Sequence, residues 1–355
     1  MAAAKVFIFA PADETGETHR RLEQAGCALT LGKAGWHTPQ GDNEDEMREL
    51  ARDADALAGT SIRSSPITRG IMEASDKLRI VAKYTIGVDD VDVDAATELG
   101  ILVTHGPTES NWGGVAEGTI AMILALLKKV RERDENMKRG RWRADELQGT
   151  YLGRRLDGYP GITIGLVGVG RIGSRVADLL HPWRVRLIGY DPHVPPARFA
   201  LTGVEPVDYE TLLREADVVS FHVVLTKETR RMFGAEQLAL MKPSAVLINT
   251  SRGGVVDERA LADALEKNKI AAAALDVFED EPLPPDSPLR ELKHKVLLSP
   301  HMVSSNVGSG LGPGITWATQ SILRALRGEV PDNVYNVDVI PTWLQRFGGR
   351  SVLSS

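Results

Sequence analysis

Thiols are almost missing from this chain. Its single cysteine, Cys27, excludes an internal disulfide and a zinc site built on several thiolates. A lone cysteine of this kind is expected in the core. Long apolar runs are missing too: no stretch of 18 apolar residues occurs, so no segment reads as a membrane span. Met1 to Phe9 carries Lys5 within an apolar stretch too short for a signal peptide, and a cytoplasmic protein without a membrane partner is expected. Excess positive charge is also lacking, with 42 Lys and Arg against 48 Asp and Glu and a formal net charge of −6. The nearest thing to a basic stripe, Arg131 to Arg143, interleaves its cations with Glu132, Asp134 and Glu135 and reads as a solvated helix face. A nucleic-acid surface, which needs a local excess of Lys and Arg, is therefore not expected. Repeats and low-complexity tracts are absent as well.

What remains is an ordinary globular composition, 43% apolar and 25% charged, spread over 355 residues. That length exceeds what one hydrophobic core usually holds, so two domains are expected. In mid-chain stands Gly165-Leu-Val-Gly-Val-Gly-Arg-Ile-Gly173, behind an apolar run read as a strand and ahead of a helical pattern from Arg171. In such a turn Gly168 makes the tight bend, Gly170 lets backbone N–H groups approach a pyrophosphate, and Gly173 lets the helix pack close to the strand. The helix N-terminus adds the positive end of its dipole. About 20 residues on, Asp191 closes the next strand where the ribose hydroxyls of a dinucleotide would lie. An acid there favours NAD over NADP.

On either side, short apolar runs alternate with helical patterns. Strands are expected at Lys5 to Phe9, Asp55 to Ala58, Leu78 to Tyr84 and Ile101 to Thr104, then at Val218 to His222, Ala245 to Asn249 and Ala272 to Leu275. A long helix is expected over Val115 to Val130, and Gly308 to Gly314 reads as a hinge-like segment before a helix over Ile315 to Arg327. This alternation predicts parallel sheets with helices on both faces. Arg252, Glu281 and His301 each lie just past a predicted strand end, where ligands gather in an open parallel sheet. Hydride chemistry at a carbonyl carbon needs a proton donor or acceptor at the oxygen, which suits His301. Glu281 beside it would orient the ring and favour its protonated form. Arg252 can hold a carboxylate through two parallel hydrogen bonds and polarise the neighbouring carbonyl.

In four blocks the chain resembles the D-isomer-specific 2-hydroxyacid dehydrogenases. The blocks are Gly165 to Gly173; His222-Val-Val-Leu-Thr226 through Met241-Lys-Pro and Ile248-Asn-Thr-Ser-Arg-Gly253; Ala274-Leu-Asp-Val-Phe-Glu-Asp-Glu-Pro282; and Leu298-Ser-Pro-His301. Lys83-Tyr-Thr-Ile-Gly-Val-Asp-Asp90 and Gly114-Val-Ala-Glu117 are similar to the family too. The resemblance implies an α/β fold of two doubly wound parallel-sheet domains. A Rossmann nucleotide-binding domain, residues 107–301, is inserted into a flavodoxin-like substrate domain formed by residues 1–106 and 302–355. It implies catalysis by Arg252, Glu281 and His301, and an NAD site drawing on Gly168, Gly170, Arg171, Ile172, Gly173, Asp191, His222, Thr229, Thr250, Ser251 and Asp276, the last holding the nicotinamide carboxamide. Substrate, a small 2-oxo or 2-hydroxy acid, would meet the backbone at Thr85, Ile86 and Gly87, with Arg63 as a second anion contact. No metal is implied. The family pairs as homodimers through the nucleotide-binding domain, and the regulatory C-terminal domain of its longer phosphoglycerate dehydrogenases is not expected. A corepressor branch of the family offers the alternative of a nucleotide-sensing binding protein. Lys83, Thr85, His105 and Val224 stand where arginine, glycine, asparagine and proline are common, and the tail from Trp343 to Phe347, unusual for the family, is read as crowding or lining the substrate pocket.

Overall fold

Residues 3–34, 41–60, 65–306 and 311–353 are described by a computed structural model. Arg63, and Gly308 to Gly310 of the glycine-rich stretch, lie outside the described residues. The chain divides into two units, Met1–Asn111 with Asn306–Ser355, and Trp112–Ser305.

In the first unit five strands, β1 (Ala4–Ala10), β2 (Cys27–Leu31), β3 (Ala56–Gly59), β4 (Ile80–Lys83) and β5 (Leu102–Thr104), pair in parallel in the order β2-β1-β3-β4-β5. That is the flavodoxin-like order. In the second unit seven strands follow: β6 (Thr163–Val167), β7 (Arg186–Tyr190), β8 (Glu205–Pro206), β9 (Val218–Phe221), β10 (Val246–Asn249), β11 (Ala272–Leu275) and β12 (Val296–Leu298). They run β12-β11-β10-β9-β6-β7-β8, all parallel, so the winding reverses beside β6. This is a Rossmann sheet, and the doubly wound α/β class expected of both domains is what the structure has.

Every residue of β3, β4, β9 and β10 is buried, because helices cover both faces of each sheet. Side-chain alternation then feeds two cores per sheet. Along β1, Val6 and Ile8 join one apolar cluster while Phe7 and Phe9 join the other. Across β10, Leu247 goes one way and Val246 and Ile248 the other. The helix Gly312–Arg327 packs on β3 and β4. No helix among the described residues is long and apolar enough to cross a membrane.

Three local readings need correction. Strand β2 was not expected: it lies at the sheet edge with only Cys27 buried, so its apolar signal is weak. The long helix spans Glu109–Leu127; Lys129 then takes a left-handed conformation (φ 51°), and a separate helix, Val130–Lys138, has no buried residue. The tail is core, not pocket. In the helix Ile340–Phe347, Trp343 is fully buried, its Nε1 donates to the Arg79 carbonyl at 2.9 Å, and Arg79 stacks 4.9 Å from the Phe347 ring centre.

Candidate active site

The register of the second sheet aligns Tyr190, Val167, Phe221, Asn249, Leu275 and Leu298 as one row across six strands. One residue further on stand Asp191, Gly168, His222, Thr250, Asp276 and Ser299. Five of these six are expected cofactor residues, so the sheet itself collects them on its carboxyl edge. At the winding reversal, Gly168 has φ 96°, and a Cβ there would sit 2.6 Å from the His222 carbonyl oxygen. A Cβ on Gly173 would meet the Gly168 carbonyl oxygen at 2.1 Å, so strand and helix touch only because it is missing. Gly170 differs: a Cβ there meets nothing within 4 Å. It opens onto the start of the helix Arg171–Leu180, whose cap position supplies no side-chain hydrogen bond, so the first-turn N–H groups of Arg171 and Ile172 remain for a ligand. Asp191 accepts from the Val169 amide at 2.8 Å and from the His193 amide at 2.9 Å. Its remaining lone pairs suit ribose hydroxyls. His222 bonds Ser220 Oγ through Nε2 at 2.9 Å, while its buried Nδ1 has no hydrogen-bond partner, and burial pushes its pKa down to about 3. The imidazole is therefore neutral. An open cradle, uncapped amides and an orphaned ring nitrogen together fit a dinucleotide.

The acid–base candidates lie on the loops after β11 and β12. Glu281 Oε2 is 2.8 Å from His301 Nδ1, and its other oxygen accepts the Phe278 amide at 3.0 Å. Glu281 is the more buried of the pair, its side chain 14% exposed against 41% for His301, and Nε2 is the ring nitrogen not engaged by the carboxylate. His301 is held in the left-handed region (φ 55°), which a non-glycine residue adopts only under constraint. Asp276 supplies that constraint: Oδ1 accepts from Ser299 Oγ at 2.5 Å, from the Met302 amide at 2.9 Å and from the Val303 amide at 3.1 Å. Burial raises its pKa, opposed by these donors and by His301. Arg252 stands on a turn braced by Asn249, whose side-chain amide donates to the Arg252 carbonyl at 2.9 Å and whose oxygen accepts from Ser251 Oγ at 2.8 Å. This edge thus brings together a turn that fits a nucleotide, a histidine oriented by a carboxylate, and Arg252, whose Nη1 donates to the Ser251 carbonyl at 2.8 Å.

Residues 120–303 match the model of the D-isomer specific 2-hydroxyacid dehydrogenase NAD-binding domain. The chain belongs to this family. Over 302 residues it is 40% identical to the D-3-phosphoglycerate dehydrogenase of Methanocaldococcus jannaschii, covering 85% of this chain and 55% of that one. It thus spans about half the length of that relative. Over 310 residues it is 40% identical to the glyoxylate reductase of Korarchaeum cryptofilum, covering 86% of this chain and 90% of that protein. The crystal structure of the TT0316 protein from Thermus thermophilus aligns with a TM-score of 0.78 at 32% identity, over 93% of this chain and 99% of that one. The D-isomer specific 2-hydroxyacid dehydrogenases are NAD-dependent oxidoreductases, and NAD(H) is the cofactor of this member. The nucleotide-sensing alternative finds no support among relatives named for the reactions they catalyse.

Other residues expected at the cofactor and substrate sites make hydrogen bonds within the protein. Thr250 and Ser251 are buried, with Thr250 Oγ1 2.8 Å from Thr119 Oγ1 on the helix Glu109–Leu127 and Ser251 bound to Asn249. Thr229 donates to the Val224 carbonyl at 2.6 Å and accepts from the Thr226 amide at 2.7 Å, closing the turn after β9. In the first unit Thr85 Oγ1 donates to the Gly87 carbonyl at 3.1 Å, and Gly106 N–H donates to the Thr85 carbonyl at 2.9 Å. Ile86 and Gly87 are half-exposed on that loop. Arg63 lies outside the described residues. The sequence reading gave no role to Asn249, Ser299 or Glu258, which hold other groups in place.

Proposed function

We propose that the chain interconverts a 2-oxo acid and a D-2-hydroxy acid, with His301 and Glu281 as the acid–base pair and Arg252 binding the substrate's carboxylate and carbonyl. NAD(H), when bound, accepts or supplies the hydride at the substrate's second carbon. The supporting observation is the 2.8 Å contact between Glu281 Oε2 and His301 Nδ1 beside the dinucleotide edge. With Nδ1 donating to the carboxylate, Nε2 carries the exchangeable proton: imidazolium protonates the carbonyl oxygen during reduction, and neutral imidazole removes the hydroxyl proton during oxidation. Glu281 orients the ring and offsets the charge that forms on it. Arg252 offers a planar fork that matches a carboxylate. Asp191 at the end of β7 favours NAD over NADP by accepting from the ribose hydroxyl and repelling a 2′-phosphate. Part of the same proposal is a homodimer formed through the NAD-binding domain, supported by Trp142, Tyr151 and Leu156, which are 67%, 54% and 95% exposed there.

A panel of 2-oxo acids, including glyoxylate, hydroxypyruvate, pyruvate and phosphorylated analogues, assayed by NADH and NADPH absorbance, identifies the substrate and the cofactor preference. On the best of these, His301→Ala is expected to lower turnover about 100-fold or more in both directions. Near-wild-type turnover by His301→Ala, with chemistry rate-limiting, would overturn the assignment.

A further inference from the structure

Glu258 is the first residue of the helix Glu258–Glu266, after the cap Asp257, whose side chain accepts from the Ala260 amide. By position alone it is an ordinary first-turn acid. Its side chain instead leaves the helix: Oε1 accepts the Glu279 amide, two residues before Glu281. The Phe278 to Glu281 loop is pinned on both sides of that bond. The Phe278 amide donates to Glu281 Oε1, and Arg231 holds Glu279 through Nε at 3.0 Å and Nη2 at 3.2 Å. Gly253, next to Arg252, lies so close that a Cβ would sit 1.8 Å from the Phe278 carbonyl carbon. Glu258 therefore ties the helix after the arginine turn to the amide leading into Glu281.

We propose that Glu258 is a positioning residue for the acid–base pair, its carboxyl docked on the Glu279 amide to hold the loop in the geometry that brings Glu281 onto His301. The inference rests on reading Glu281 and His301 as that pair. Its surroundings agree with a built contact. Glu258 is half-buried, and its pKa is raised to about 7 by burial first, then by the charges of Glu279, Asp280 and Glu281. Arg231 is committed to Glu279 and His301 to Glu281. The helices packed on Glu258–Glu266 carry Glu236 and the run Arg290, Glu291, Lys293, His294 and Lys295, none of them bonded to Glu258. A carboxyl is thus kept among acids for its hydrogen bond, not for an ion pair.

Two variants separate the reach of the carboxyl from its acidity. Glu258→Gln keeps an oxygen at the right length and removes the ionisable group, whereas Glu258→Asp keeps the carboxyl and withdraws its oxygen by one methylene. With NADH and the most active 2-oxo acid of the panel, Glu258→Gln is expected to retain kcat within about threefold, while Glu258→Asp loses about tenfold, a scale set by misplacing a catalytic group by a bond length. KM for NADH should change little in either. Wild-type kcat in Glu258→Asp, or Glu258→Gln falling below Glu258→Asp, would overturn the proposal. His301→Ala is the control: if it stays active, the acid–base reading fails; if it is inactive while Glu258→Asp is not, only the positioning role fails. NADH fluorescence titration of each variant shows that the fold and the cofactor site persist.

Discussion

Within the nucleotide turn, two glycines three positions apart do different physical work, and alanine distinguishes them. At Gly173 a methyl group would strike the Gly168 carbonyl oxygen at 2.1 Å, so strand β6 and its helix must separate. Gly173→Ala is expected to cost about 1–3 kcal/mol of stability, the scale of forced overpacking, read as a lower urea midpoint. At Gly170 the methyl points into open space and the backbone (φ −72°) suits any residue. Gly170→Ala should keep the wild-type midpoint while raising the Kd for NADH, because the methyl stands where a pyrophosphate would approach. Equal midpoints for the two variants would show that this packing argument is wrong. His222 shows the same divergence between type and environment: a histidine by composition, it is neutral in the fold because it is buried.

Among the elements, the loop after β4 is closed at its two ends by one ion pair. Lys83 Nζ lies 2.6 Å from Asp90 Oδ2 and donates to the Thr60 carbonyl at 2.9 Å, with both side chains essentially inaccessible. Its ammonium also lies 5.2 Å from the centre of the Phe9 ring. Burial drives the Lys83 pKa down while Asp90 and then Asp89 oppose this, so the Asp90 carboxylate offsets much of the cost of burying the ammonium. Asp90→Asn leaves an ammonium buried beside a neutral amide and is expected to destabilise the chain by about 3–5 kcal/mol in urea unfolding. Replacing both residues at once, Lys83→Met with Asp90→Leu, should recover much of that loss. A double variant as unstable as the single would show that shape, not charge pairing, governs this loop. Thr85, Ile86 and Gly87 lie inside the closed segment, so the pair sets the form of the stretch where the family resemblance puts the substrate's carboxylate.

For the whole molecule, the distribution of exposed apolar surface is uneven. In the NAD-binding domain, Met137, Trp142, Tyr151 and Leu156 are each more than half exposed within a short span of sequence. A surface of that kind is costly in a monomer and ordinary at an interface. Light scattering of the purified chain is expected to give the mass of a dimer, and Leu156→Asp combined with Trp142→Ala should convert it to the monomer mass of 38.6 kDa. A wild-type monomer at the same concentration would remove the dimer from the proposal. Charge does not oppose such pairing, since a net charge of −6 over 355 residues is modest.

Strand positions and the nucleotide turn were legible in the sequence because each has a local cause. A buried parallel strand needs an unbroken apolar run, and a tight turn under a helix needs glycine at fixed offsets. Edge strand β2, the break at Lys129 and the buried Trp343 were not legible, since weak local signals there are overruled by what packs against them. The same division runs through the site. Asp191, Glu281 and His301 could be picked out by type and place at a strand end. That Asp276 holds the His301 segment, that Thr250 turns inward to Thr119, and that Glu258 reaches the Glu279 amide depend on hydrogen bonds between residues many positions apart. Sequence spacing records which groups a strand end can present. Only the register of seven parallel strands and the burial around them decided which of those groups meet, and in which protonation state.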